Sequence, residues 1–268
     1  MKPLLFICFC LLFSCSSGNS QTISLKDFSE TPTPAMYSKE VMQLNNTMLD
    51  FAVSLVNGEL QILHSQQRGT GFNYNLPQGL LKGIDHGEFG GALYFLPVDT
   101  NQNFNVNGKP TDKTDAFKLY AFGKANIKTD KDIRNLILLR GGNQSFIFKY
   151  KDSLYIAESL AHMSLRTGEL YTVDLKGNNF TIQQVIDFKD APEAITVFND
   201  KMLVACSSSF FVLDSNNKTK TFDHLFWDLL FPNSIVARSE REVYVGIRGG
   251  YVKLNLESRQ VTFYKYNK

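Results

Sequence analysis

Short apolar segments that alternate with turn residues are the feature that most limits what this chain can fold into. From about residue 40 onward the segments are four to eight residues long and rich in Phe, Tyr, Val, Ile and Leu. Clear examples are residues 202–205, 210–213, 243–247 and 251–256. Runs of this kind are typical of β-strands, and amphipathic helical patterns are scarce. With 22 Phe and 11 Tyr, the composition also favours strands. The pattern predicts an all-β body.

The predicted strands recur in units. Three segments follow one pattern, in which a turn residue precedes an amide or acid, a small residue, a strand, a polar hairpin and a second strand: residues 143–156, 192–204 and 232–245. Two further units are predicted to start at Asn46 and Gln78. Five units over residues 46–268 give about 45 residues each, the size of a four-stranded propeller blade. The chain therefore resembles a β-propeller of about five four-stranded blades. Six or seven blades, or a β-sandwich, are the alternatives.

The propeller interpretation places one polar residue of each unit at the mouth of the central channel. These residues are Asn46, Gln78, Gln144, Glu193 and Asn233. A ring of amide oxygens with one carboxylate would suit water, a weakly bound cation or a small polar ligand. The alternative is that these side chains only cap the inner strands. The sequence predicts no other cofactor and no dedicated metal site.

The connections between second and third strands of each blade are expected on the same face. They contribute His162, Arg166 and Arg248. The two glycines after Arg248 would let the backbone fold tightly under its guanidinium, or they form an ordinary hairpin beside a solvated arginine. His162 is a candidate binding residue at this face, and a purely structural role is the alternative. Trp227, in an apolar run, would overhang the face and stack on a sugar or peptide, or would pack between blades.

Polar hairpins are expected on the opposite face. They are predicted at residues 151–152, 199–200 and 240–241. Residues 85–88, with the sequence Asp-His-Gly-Glu, align with these hairpins. We therefore interpret them as another polar turn on that face, rather than as a metal or acid–base site.

The first 15 residues are typical of a targeting signal. Residues 4–13 form an apolar run that is too short for a membrane span but has the length of a secretory signal. Residues 12–15, Leu-Phe-Ser-Cys, resemble the lipobox of bacterial lipoproteins. The resemblance implies a signal peptide at 1–14, a lipid on Cys15, and a chain anchored in the bacterial cell envelope on the periplasmic or cell-surface side. A plain secretory signal or an uncut membrane anchor is the alternative.

The predicted signal peptide sets the domain boundaries. Residues 15–40 are predicted to be the acylated cysteine and a flexible tether, because Pro32 and Pro34 break any helix. The alternative for residues 23–28 is one edge strand of the body, so this boundary stays open. Residues 41–268 are predicted to form the propeller. Cys206 is the single cysteine of that body, so no internal disulfide is expected.

The net charge and the absence of several motifs argue against some classes of function without excluding an enzyme. The formal net charge of +2, from 28 basic and 26 acidic residues, gives no case for nucleic acid as a partner. The chain contains no nucleophile elbow, P-loop or dinucleotide fingerprint. The four His, at positions 64, 86, 162 and 224, lack zinc-site spacing. Residues 190–194, 232–235 and 246–250 resemble propeller-like bacterial envelope proteins of no known activity.

Three hypotheses about function follow. The first is a membrane-anchored lipoprotein that binds a protein partner or a polar ligand at its channel face. The second is a hydrolase or lactonase-like enzyme for a small polar or sugar substrate. In that case Glu193 would be the base or metal ligand, His162 a proton shuttle and Arg248 the anion anchor. The third is a structural component of an envelope assembly. The sequence favours a non-enzymatic role and leaves the oligomeric state open.

Overall fold

A computed structural model describes residues 22–65, 71–85, 87, 91–110, 136–162, 165–214 and 219–268. The predicted lipidation site, Cys15, lies outside these residues, as do His86 and Glu88 of the predicted polar turn. Within the described part of the chain, no helix is both long and apolar enough to cross a bilayer.

The N-terminal segment is built into the fold. It contains β1 (Thr22–Ile23), a 3₁₀ turn (Leu25–Asp27), β2 (Phe28–Thr31) and α1 (Lys39–Asn46). Ile23 and Phe28 are buried in a core cluster, and α1 buries Val41 and Leu44. From Thr22 onward the predicted flexible tether is wrong, because burial of these apolar side chains fixes the segment on the body. The edge strand that the sequence allowed at residues 23–28 is present in part, as β1 and β2 on either side of the 3₁₀ turn.

The strands divide among five sheets. The first contains β1, β3 (Phe51–Val56) and β4 (Glu59–His64). The second contains β5 (Gly71–Leu76), β6 (Gly79–Asp85), β7 (Gly91–Pro97) and β10 (Ile137–Gly141). The third contains β8 (Asn105–Val106), β9 (Lys109–Pro110), β11 (Gln144–Tyr150), β12 (Ser153–His162), β13 (Leu165–Lys176) and β14 (Asn179–Asp187).

The last two sheets follow in the chain. The fourth contains β15 (Pro192–Phe198), β16 (Lys201–Cys206), β17 (Phe210–Leu213) and β18 (Thr219–Phe222). A 3₁₀ helix (Phe226–Leu229) leads to the fifth, which contains β19 (Ser234–Ser239), β20 (Glu242–Ile247), β21 (Gly250–Asn255), β22 (Gln260–Tyr266) and, at its edge, β2. Every described pair is antiparallel except β8 with β14. The predicted all-β body is confirmed, and five sheets rather than two do not fit a β-sandwich.

Apolar side chains join the sheets in a row. One cluster lies between the fifth and first sheets and includes Phe51 and Tyr251. Three more join the fourth to the fifth sheet, the third to the fourth and the second to the third. The first strands contact each other in the same order, β3 with β19, β19 with β15, β15 with β11 and β11 with β5. The row thus runs from the first sheet through the fifth, fourth and third to the second.

The two ends of these first strands form distinct faces. We call the end where β3, β11, β15 and β19 begin the strand-start face. The predicted hairpins at 151–152, 199–200 and 240–241 are confirmed as turns at the other end. There Lys201 pairs with Glu240 at 2.5 Å, which links the fourth sheet to the fifth.

Asp85 and Gly87, the described residues of the predicted turn at 85–88, do not lie at that other end, so the predicted placement is wrong for these two residues. Asp85 ends β6, and its Oδ2 accepts a hydrogen bond from Ser145 Oγ at 3.1 Å, beside the beginning of β11. Asn143 Nδ2 donates to the carbonyl oxygen of Gly87. The segment joins the second and third strands of its sheet, so it lies at the strand-start face. The alignment failed because the first strand of this sheet begins earlier than the pattern indicated.

Candidate functional site

Two members of the predicted polar ring lie elsewhere. Asn46 is the exposed last residue of α1, because β3 begins only at Phe51. Gln78 lies exposed in the turn between β5 and β6, at the end opposite to the strand-start face. The sequence pattern that suggested a strand start at Asn46 belongs to a helix end, and the pattern at Gln78 belongs to a hairpin. Neither residue begins the first strand of a sheet.

Gln144 begins β11 as predicted but is completely buried. Its Nε2 donates to the Gly142 carbonyl oxygen at 2.8 Å, and its Oε1 accepts from the hydroxyl of Tyr171. Burial raises the pKa of that tyrosine. Gln144 therefore acts as a capping residue within the core, which is the alternative that the sequence left open.

Glu193 begins the fourth sheet and is partly exposed. Its carboxylate accepts from Ser207 Oγ at 3.1 Å. The nearby Asp190 is buried and accepts from Ser208 N at 2.9 Å and from Ser209 Oγ at 2.7 Å. The two carboxylates thus fix the serine connection between β16 and β17 at the strand-start face.

Asn233 precedes β19 and joins the fifth sheet to the first. Its Oδ1 accepts from Ser234 Oγ at 2.9 Å, and that hydroxyl accepts from the backbone N–H of Val53 at 2.8 Å. The Nδ2 atom of Asn233 is buried without a hydrogen-bond partner among the described residues. The side chain serves the junction between the first strands of two sheets.

Arg248 is an interior ion-pair partner rather than a solvated turn residue. Its side chain is 11% exposed, and its Nε and Nη2 lie 2.8 and 3.2 Å from the two carboxylate oxygens of Asp50. Its Nη1 donates to Asn45 Oδ1 at 2.8 Å, and its guanidinium lies 4.6 Å from the ring centre of Phe231. The turn at Gly249 has φ +81°, as a glycine there allows. The guanidinium is committed to these partners, which argues against an anion-anchor role.

Arg166 forms a second interior pair. Its Nη2 lies 2.6 Å from Oδ2 of Asp228, whose side chain is buried, and the hydroxyl of Tyr37 donates to the same oxygen. These residues come from the third sheet, the 3₁₀ helix before the fifth sheet and the N-terminal segment. His162, also predicted for this face, ends β12 opposite Leu165 and is partly exposed.

Trp227 lies inside the protein. Its side chain is completely buried, and its Nε1 donates to the carbonyl oxygen of Cys206 at 3.1 Å. The predicted stacking role is wrong, and the packing alternative is confirmed. An eight-residue run with six apolar side chains, followed by proline, is buried here because it crosses the end of the core between the fourth and fifth sheets.

A third charged cluster was missed by sequence reasoning. Arg140 pairs with Glu158 at 3.2 Å and also with Glu169, and its guanidinium lies 4.9 Å from the ring centre of Tyr171. Burial raises the pKa of Glu158 more than the nearby Arg140 lowers it. The carboxylate of Glu158 lies against Gly142, where a Cβ would collide with it. The absence of a side chain at this position therefore leaves room for the cluster. The sequence signal is weak: Arg140 and Glu158 are the single Arg or Glu residues of β10 and β12.

Exposed apolar side chains surround α1 at the strand-start face. Tyr37, Met42 and Met48 are 53%, 43% and 70% exposed. Leu165 is 55% exposed and adjoins Arg166, whose Nη2 lies 3.5 Å from the Tyr37 hydroxyl. We call these four residues the α1 patch. Two ion pairs border the patch, because Arg166 contacts the Tyr37 hydroxyl and Nη1 of Arg248 lies 3.4 Å from Sδ of Met48.

The predicted catalytic group is spread over three sheets. Glu193 belongs to the fourth, His162 to the third and Arg248 to the fifth. Within the described ranges, no group of three or more His, Cys, Asp or Glu side chains could hold a metal ion. The predicted cation at the channel mouth stays a prediction.

Comparisons with known proteins add little to this geometry. No family model matches the chain, and no curated protein matches it. Among solved structures, the chain is similar to the N-terminal domain of Nup159, at 12% sequence identity and a TM-score of 0.34. The alignment covers 87% of this chain and 66% of that chain, just under two thirds. At that score the similarity supports no conclusion, so the description of this chain depends on its own sheets and contacts.

Proposed function

We propose that the chain is a lipid-anchored envelope protein that binds a partner protein through the α1 patch. In this proposal Cys15 bears the lipid, and the body is a β-propeller of five blades. The lipobox resemblance supports the anchor. Five sheets in one row of contacts, with β3, β11, β15 and β19 adjacent in turn, support the propeller.

The exposed apolar side chains of the α1 patch are the observation on which the binding function depends. Methionine is flexible and polarisable and is over-represented on surfaces that bind other proteins, and aromatic side chains are frequent interface anchors. Met42, Met48 and Tyr37 meet this description beside one short helix. The charged residues around them are largely engaged with one another. The face therefore offers an apolar surface on a rigid polar frame, which suits a protein better than a small polar ligand.

Site-specific photo-crosslinking in a bacterial host that lipidates the chain tests the proposal. One cross-linking residue replaces Met48, and the control replaces Val98, which is 80% exposed and follows β7 in the second sheet. We expect one adduct from position 48 and none from position 98. The cross-linked protein would then be purified and its Kd for the chain measured.

The measured Kd shows whether the α1 patch is the binding surface. Met42→Glu with Met48→Glu should raise the Kd at least about tenfold, since burial of one Met contributes roughly 1.5–3 kcal/mol. Val98→Glu should leave the Kd unchanged. An equal effect of the two substitutions, or equal cross-linking at the two positions, would contradict the proposal.

A further inference from the structure

We infer that the link between Cys15 and Thr22 is short enough to hold one particular edge of the body against the membrane. That edge is formed by β1, the Leu25–Asp27 turn and β2, and we call it the N-terminal edge. The inference depends on the lipid anchor in the proposed function. Its partner is the surface of the lipid bilayer.

Thr22 is the first residue of the body that the structure describes. Thr22 and Ile23 pair with Leu63 and Ile62 of β4, and Ile23 is buried. A few residues later Phe28 is buried, with its ring 5.3 Å from that of Phe51 and 5.2 Å from that of Tyr251. Pulling this segment away would expose the cluster between the first and fifth sheets, so Thr22 is a fixed point of attachment.

The link is much shorter than the tether that the sequence suggested. Only residues 16–21 separate Cys15 from Thr22. Seven residues of fully extended chain span at most about 25 Å. Thr22 therefore lies within about 25 Å of the lipid that Cys15 bears, whatever path the link takes.

The reach of the link restricts how the body can be oriented on the membrane, because the body is wider than this reach. A compact chain of about 250 residues has a radius of gyration of about 18 Å, hence a diameter of about 45 Å. If the third sheet faced the membrane, Thr22 would lie near the far side, at almost twice the reach of the link. The reach excludes the orientations that put Thr22 in the half of the body away from the bilayer. Among the orientations that remain, the side chains of the N-terminal edge favour the one with this edge toward the lipid.

The exposed side chains of the edge suit a bilayer surface. Leu25 is 45% exposed in the first turn after β1, and Lys26 beside it is exposed. Lys268 reaches the same place, where its Nζ lies 2.8 Å from Asp27 Oδ1. An apolar side chain flanked by lysines is a combination that favours the headgroup region.

Quenching of a fluorescent label by lipids with spin-labelled headgroups tests the orientation. The lipidated full-length chain is reconstituted in vesicles with one introduced cysteine, either Lys26→Cys at the N-terminal edge or Gln184→Cys in β14 of the third sheet. Both positions are exposed, and the native Cys206 is completely buried, so the label goes to the introduced site. We expect at least about threefold stronger quenching at position 26, because the two sites differ in height by much of the body's diameter.

A longer link provides the control. Twelve Gly and Ser residues inserted after Ser20 extend the reach to well over the diameter of the body, and we expect the difference in quenching to disappear. Equal quenching with the native link, stronger quenching at position 184, or a difference that persists with the longer link would each overturn the inference.

A separate measurement tests the anchor itself. The native chain should be recovered with the vesicles, and Cys15→Ser should remain in solution. If the native chain also remains in solution, the lipid anchor of the proposed function fails. If the chain is anchored but the two labels are quenched equally, the anchor stands and the orientation fails.

Discussion

The carboxylate of Asp50 and the guanidinium of Arg248 face each other through two hydrogen bonds, of 2.8 and 3.2 Å, across the junction between the first and fifth sheets. Asp50 immediately precedes β3, and Arg248 lies between β20 and β21, where a single bridge also pairs the two backbones. Residues near the two ends of the described chain are thereby fixed side by side. The pair positions the start of β3 and the end of α1 together.

Replacing Arg248 with Lys should destabilise the protein although it preserves the charge. A lysine cannot reproduce the bidentate geometry or the contact with the ring of Phe231, so we expect a loss of about 2 kcal/mol in the free energy of unfolding. Urea denaturation measures it. The matched control is Arg241→Lys, in a pair with Glu257 that is largely exposed, where the loss should stay below about 0.5 kcal/mol. Equal losses for both variants would show that the Arg248 pair has no special role.

Asp228→Asn should loosen the connection between the N-terminal segment and the third sheet. The neutral amide no longer holds Arg166 by charge and cannot accept equally from Tyr37, and we expect a cost of about 1–3 kcal/mol in the free energy of unfolding. Asp174→Asn, which removes an exposed pair with Lys176, is the control. Hydrogen exchange in α1 should also become faster in the Asp228 variant. Unchanged exchange together with unchanged stability would contradict the structure at this point.

Trp227 should behave as a buried chromophore. Because it is the single tryptophan, its fluorescence reports this one position. We expect negligible quenching by iodide in the folded protein and strong quenching in urea. Trp227→Ala should cost about 3–5 kcal/mol through the cavity that it leaves. Strong quenching in the folded state would restore the stacking role at an exposed face.

Glu158 should make stability fall as the pH rises. Its pKa is raised by burial above the ordinary value near 4.5, so the folded protein binds more protons than the unfolded chain between the two values. The contribution is present below the ordinary pKa and is lost as the pH passes the raised one. Glu158→Gln cannot ionise, so its stability relative to the native chain should increase from about pH 4 to about pH 7. Urea unfolding at several pH values tests this, and a constant or decreasing difference would refute it.

Much of the second half of the chain was predictable from its own pattern. The hairpins at 151–152, 199–200 and 240–241 and the strand starts near Gln144 and Glu193 follow from turn residues that alternate with apolar strands. In each case the pairing partner is the next strand in the chain. The turn residues and apolar segments therefore predict the same strand pairs that the structure contains.

The N-terminal part was less predictable, because its partners lie far away in the chain. Phe28–Thr31 shows no long alternation of its own and becomes a strand only because β22 lies beside it. Arg248 gave no local sign that Asp50 would be its partner, 198 residues away. Asn46 and Gln78 were assigned to strand starts because asparagine and proline occur in turns of every kind, and nothing nearby distinguishes a helix end or a hairpin from a blade start.

The pairing of β2 with β22 has a consequence for how the chain reaches its final state. Asn267 donates to Ser29 Oγ at 2.7 Å, across a separation of 238 residues. Contacts between such distant residues form slowly, since most of the chain must be ordered before the two strands meet. The fifth sheet thus cannot be completed until residues 260–266 have been synthesised. Loss of residues 260–266 would leave β2 without its partner and would make β21 the edge of the fifth sheet, while β1 would keep its pairing with β4.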